Sequence, residues 1–140
     1  MLFQASITIP KNTAMASPTM VTLPVAKGII TKFMVRPRPG HAGLAHLVII
    51  RGTTQLWPSN VGMEFHGDTF PIDWEDYYEF YEPPYELKLE GWNEDDTYEH
   101  IFDVYVAILP RRGIVATSVA DSIMGVLSML SPKRIFTRGL

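Results

Sequence analysis

Turn-forming residues recur along this chain about every ten positions, and that rhythm limits what it can fold into. Pro10, Pro18 and Pro24, the loop "RPRPGHAG", Gly52 and the stretch "PSNVG" cut the first 62 residues into short segments. Proline fixes φ and removes a donor, and glycine enters conformations closed to other residues, so neither suits a helix interior. What lies between them alternates polar and apolar residues. "ASITIP" does so, and "GIITKFMVRP" sets Ile30, Lys32, Met34 and Arg36 against Ile29, Thr31, Phe33 and Val35. Period-two alternation bounded by turns predicts strands, and many short strands at this spacing predict an antiparallel β-sandwich.

Further on, "LAHLVIIRG" reads as a strong strand ended by Gly52, with "TTQLWPSN" as its hairpin partner and Trp57 as an anchor. "MVTLPVA" is a short extended run whose Pro24 suits a sheet edge. "EPPYELKLEGWN" puts Tyr85, Leu87 and Leu89 on one face. In "HIFDVYVAILP", Phe102, Val104, Val106 and Ile108 share one face, and the other is also apolar except at Asp103. Two apolar faces predict a central strand, or one covered by a partner. Between these two strands lies "NEDDT", and Asn and Asp favour hairpin turns.

A chain of 140 residues with 46% hydrophobic and 19% charged residues can bury a core as one domain. It has no cysteine, which excludes disulfides, thiolate metal sites and a cysteine nucleophile. The start, "MLFQASITIP", has neither the basic nor the apolar region of a signal peptide. No run is long and apolar enough to suggest a membrane span, so a soluble intracellular product is expected. Net charge is −3, but residues 64–103 hold 14 acids and one base, and the remainder holds 11 bases and one acid, Asp121. Such asymmetry bears on partners, not on fold.

After Pro110 the character changes. Val119, Ile123, Met124, Leu127 and Leu130 fall at helical spacing, Ser118 and Asp121 suit an N-terminal cap, and Ser131-Pro132 stops the run. A basic end with Arg134 and Arg138 follows. Residues 1–110 are therefore expected as a sandwich domain and 111–140 as a helical or extended arm. About 13 residues is marginal for an isolated helix, so the arm needs a surface, either its own domain or a neighbour.

Several constellations invite a chemical reading. "GWNEDDTYEH" gathers Glu94, Asp95, Asp96, Glu99 and His100, but lacks the offsets and glycine of a calcium loop, so a solvated turn is the simpler reading. His41 and His46 in "HAGLAH" have no evident third ligand, and no metal or other cofactor is expected. A metal-dependent hydrolase would draw on His66, Asp68, Asp96 and His100. No nucleophile elbow, phosphate loop or dinucleotide fingerprint is present, and an enzyme is not expected. The aromatic run "WEDYYEFYEPPY" would serve a carbohydrate-binding module as a stacking platform, or a subunit interface. Acids among those rings disfavour nucleic acid.

Three stretches together, "SITIPKNT", "KGIITKFMVRPRPGHAGLAHLVIIRGTTQLWPSN" and "EPPYELKLEGWNEDDTYEHIFDVYVAILP", resemble the jelly-roll capsid decoration, or minor capsid, proteins of tailed bacteriophages. The likeness spans roughly residues 5–110 and rests on pattern; residues 111–140 do not fit it. It implies an all-β jelly-roll sandwich of about eight strands. It also implies a non-enzymatic virion protein, made in the host cytoplasm and seated on the capsid surface as a homo-oligomer, a trimer, bound to the major capsid protein. No membrane or specific nucleic acid enters, and a neck or tail component is the nearest variant. Contact candidates are Trp57, Tyr77, Tyr78, Phe80 and Tyr81 on the body, with Val119, Ile123, Leu127, Leu130, Arg134 and Arg138 in the arm.

Overall fold

The computed structural model describes residues 1–110 and is all-β over that range. Eight strands follow in order: β1 Leu2–Ile9, β2 Thr19–Pro24, β3 Gly28–Pro37, β4 Ala45–Arg51, β5 Thr54–Trp57, β6 Ile72–Phe80, β7 Glu86–Asn93 and β8 His100–Leu109. They form two four-stranded sheets, β1-β8-β3-β6 and β2-β7-β4-β5. Successive strands alternate between sheets except at the β4–β5 hairpin. This is the strand order of an eight-stranded jelly roll, two Greek keys folded face to face. By packing, the chain divides into Met1–Ile108 and Leu109–Leu140, and the sandwich is the first of these. No helix among the described residues is long and apolar enough to cross a membrane.

The alternation read from sequence becomes the core. Ile7, Ile9, Phe33, Val35, Leu47, Ile49, Leu87, Leu89, Phe102, Val104, Val106 and Ile108 are all fully buried. As two apolar faces required, β8 is central, between β1 and β3, and Pro24 ends an edge strand, β2.

Two expectations change. Residues 94–99 do not close a hairpin, because β7 and β8 lie in opposite sheets. That segment crosses from one layer to the other at an end of the sandwich. In β3, Ile30 leaves the face assigned to it and joins Phe33 and Val35 in the core. A bulge lies at the same point: Ile30 pairs with Tyr78 and Lys32 with Glu75, so Asp76 and Tyr77 of β6 together oppose the single Thr31. With four residues of β6 spanned by three of β3, Ile30 and Phe33 fall on the same side although three apart.

Gly91 shows how closely the sheets approach. A Cβ at this position would collide with Ile9 Cδ1 and lie 3.2 Å from the His46 carbonyl oxygen. Only glycine lets β7 pass under that buried isoleucine.

Candidate functional site

Four loops gather at one end of the sandwich: 10–18, 38–44, 58–71 and 94–99. Backbone hydrogen bonds stitch them together. Asn12 N–H donates to Asp95 O (2.9 Å), Glu94 N–H to Leu44 O (2.9 Å) and Gly43 N–H to Gly67 O (3.3 Å). Asp68 clamps two of the loops, its carboxylate accepting the N–H groups of Gly40 and Ala42, each at 2.9 Å. Those bonds, the one from Ala42 foremost, hold Asp68 below the usual carboxylate range. All four histidines of the chain, His41, His46, His66 and His100, sit on or beside these loops.

His41 and His100 form a closed pair. Their rings are 4.7 Å apart, and His41 also meets the Phe102 ring edge-on at 4.6 Å. Both rings are buried. His41 Nε2 donates to the Ile101 carbonyl at 2.7 Å, since a carbonyl can only accept. Burial pushes the His41 pKa down, against that hydrogen bond. His100 Nε2 lies 2.8 Å from Asp95 Oδ2. Asp95 also accepts the N–H groups of Thr97 and Tyr98, and these bonds, Thr97's first and then His100's, hold it below its ordinary value. Asn93, buried beneath, donates to Ile9 O and Tyr98 O and accepts from Asp95 N–H. The acidic cluster of "NEDDT" is thus a self-bonded crossover. Its exposed members, Glu94, Asp96 and Glu99, face solvent.

His46 and His66 form an open pair on the outer face of the second sheet. Their placement follows from one bridge. Leu47 and Phe65 exchange both backbone hydrogen bonds, at 2.9 and 2.8 Å, as an antiparallel pair whose side chains enter the core. Their neighbours must then point outward, and antiparallel register sets His46 opposite His66. The two rings lie 5.9 Å apart, with Glu64 beside them. On its other flank His46 pairs with Trp92 of β7 and stacks on its indole, 5.4 Å between centroids and 18° between planes. His46 Nε2 is 3.2 Å from Glu94 Oε2, and His46 Nδ1 is 3.3 Å from Glu64 Oε1. The Nδ1 contact lacks hydrogen-bond alignment, and the atom is buried from solvent without a partner. Among the described residues, the group able to hold a metal is His46, Glu64 and His66, whose ligand atoms lie within 4.8 Å of one another.

That trio replaces the hydrolase set read from sequence. His66 belongs to it, but Asp68 is spent on the 38–44 loop, Asp96 on Thr97, and His100 on Asp95. The aromatic contact candidates divide by burial. Trp57 (4% exposed) and Phe80 (fully buried) are core residues, so neither is a surface contact of this domain. Trp57 packs on Phe33 and donates to Asp76 Oδ2, while Tyr78 is half-buried with its hydroxyl accepting from Arg51. Tyr81 is half-buried, and Tyr77 is open at 60% exposure. Val119, Ile123, Leu127, Leu130, Arg134 and Arg138 lie outside the described residues.

A second feature lies on the outer face of the first sheet. Asp103, buried on β8, accepts from Arg38 through two bonds of 2.9 Å and from Ser6 at 2.6 Å, with Arg36 at 3.9 Å. The Arg38 bond chiefly holds its carboxyl below the ordinary range, against the cost of burial. Beside this polar knot, Leu2, Lys32, Phe33, Met34, Tyr105 and Ala107 line a shallow apolar depression of about 250 Å³.

No protein-family model matches the sequence, and no curated protein matches it. Among solved structures, that of the Yersinia pseudotuberculosis-derived mitogen (YPM) is similar at a TM-score of 0.43 and 14% identity, over 78% of this chain and 86% of that one. At that level it carries no functional inference.

Proposed function

We propose that this chain is a structural virion protein that decorates a capsid shell. It binds the major capsid protein as a homo-oligomer, a trimer, and performs no covalent chemistry. The observation that carries a binding role is the apolar strip of Leu2, Met34, Tyr105 and Ala107 left on the outer face of the first sheet. Leu2 alone is 68% exposed. Contiguous apolar surface outside a finished core is characteristic of protein contact. The viral setting rests on the sequence resemblance, and lattice attachment suits a rigid jelly roll because many weak contacts add.

The test is light scattering coupled to size exclusion on the full chain at low and high salt. A trimer near three times 15.8 kDa that Tyr105→Glu converts to monomer supports the reading. A monomer at both salts overturns it. An oligomer unaffected by Tyr105→Glu removes this face from the interface.

A further inference from the structure

We propose that His46, Glu64 and His66 form a binding site for a divalent first-row transition ion of the zinc class. The ion would clip the 58–71 loop onto the outer face of the second sheet. The inference is independent of the capsid reading and rests on how the two imidazoles and the Glu64 carboxylate are placed.

One nitrogen of each ring is engaged away from the shared space. His66 Nδ1 lies 3.3 Å from the Glu64 carbonyl oxygen, which can only accept, so Nδ1 is the donor. His46 Nε2 is hydrogen-bonded to the Glu94 carboxylate at 3.2 Å. Its Nδ1 is enclosed, has no hydrogen-bond partner, and faces Oε1 of the half-buried Glu64 at 3.3 Å. An enclosed polar nitrogen without a hydrogen bond is unfavourable. A cation shared by that nitrogen and the Glu64 carboxylate gives both a partner.

The ligand chemistry and its surroundings fit. Two imidazoles and one carboxylate are a recurring zinc set that leaves a fourth position for water. Ligands about 2.0–2.1 Å from a tetrahedral zinc lie roughly 3.4 Å apart. One ligand atom from each of the three residues lies within 4.8 Å of the others before any ion draws them in, so movements of about 1 Å complete the site. The Glu94–His46–metal arrangement is a carboxylate–histidine–metal triad, in which the carboxylate fixes tautomer and ring orientation. Trp92, stacked on His46, holds the ring plane. His46 is anchored in β4, whereas Glu64 and His66 come from the 58–71 loop. Binding therefore couples a loop to a strand. Oxygen-seeking calcium and magnesium are disfavoured by two nitrogen donors in three.

The test uses the tag-free full chain, stripped with chelator, and isothermal titration with zinc chloride, paired with the visible spectrum on adding cobalt(II). The expected result is one ion per chain and the absorption of tetrahedral cobalt. His66→Ala, at an exposed position, should abolish both while circular dichroism shows an unchanged sandwich. Glu94→Gln should keep the stoichiometry but weaken binding about 10- to 100-fold, as a positioning residue would. Glu99→Gln, exposed on the neighbouring crossover, should bind like the parent. No stoichiometric uptake by the parent chain overturns the proposal. Uptake unchanged in His66→Ala overturns it too, by placing the ion elsewhere.

Discussion

The two histidine pairs stand at the same end of one sandwich and share neighbouring loops, yet they are built for opposite purposes. His41 and His100 are buried between the sheets, with a backbone carbonyl and an already committed aspartate as partners. His46 and His66 lie on an outer sheet face, with two glutamates that have few other obligations. The lesson is that side-chain type does not fix the chemistry. What matters is which partners the backbone has already claimed. Asp95 spends its oxygens on Thr97, Tyr98 and His100 and has little left for a ligand. Among the described residues, the Glu64 carboxylate has a misaligned contact to His46 Nδ1, which an ion would improve.

The largest effect should come from emptying the closed pair. His41→Ala removes a ring packed on Phe102 and His100 and leaves the Ile101 carbonyl without its donor. Cavity and lost hydrogen bond together should cost about 2–4 kcal/mol in urea unfolding of the metal-free chain. A loss under about 0.5 kcal/mol would show that the pair is not structural and would dissolve the contrast.

Gly91→Ala comes next and probes the ground between the pairs. The new methyl group would strike Ile9 and crowd the His46 carbonyl, so the sheets must separate locally. Overpacking of this kind costs about 1–3 kcal/mol. The disturbance should reach His46, so metal affinity should fall along with the melting temperature. A stable variant with unchanged zinc affinity would mean that the two sheets adjust independently of the site.

The pairs also differ in what acid does to them. Burial lowers the His41 pKa below its ordinary 6.5, so the unfolded chain takes up the proton first. Its contribution is whole above that value and is lost as pH falls from 6.5 towards the folded pKa. Asp68, Asp95 and Asp103 are held below 3.8, so their contributions persist to lower pH and fade below that value. Melting temperature against pH should therefore decline in two stages. His41→Asn should flatten the first stage only. An unchanged first stage in that variant would remove His41 as its source.

Much of this was legible in the chain, for identifiable reasons. Strict alternation revealed β8 and its central place, because both of its faces avoid charge except at Asp103. That exception has a physical account: Arg36, Arg38 and Ser6 cover the carboxylate. The jelly-roll order followed from the resemblance and not from periodicity, which cannot say which sheet a strand joins. The expected hairpin at "NEDDT" failed on that point. Phe80 was misplaced because an aromatic among acids looks like surface, whereas β6 is an edge strand that turns Trp74, Tyr78 and Phe80 to the core and leaves Tyr77 exposed; Trp57 ends β5 inside the same core. The open pair escaped notice because 20 residues separate His46 from His66. A signal did exist. In "EFH" two ligand-type residues flank one phenylalanine, and period two then sends Glu64 and His66 to the same side. Only the bridge to Leu47 supplies the third ligand.

The smallest predicted effect sharpens the contrast most. In metal-free protein, His66→Ala should change unfolding free energy by no more than about 0.5 kcal/mol, since the ring is exposed and makes one long bond to a backbone carbonyl. With zinc in excess, the parent should gain stability by mass action as ligand rises above its dissociation constant, and the variant should gain none. The gap between them should widen with zinc concentration. A substantial loss without metal would mean that His66 is packing like His41, and the two pairs would then differ in exposure but not in purpose.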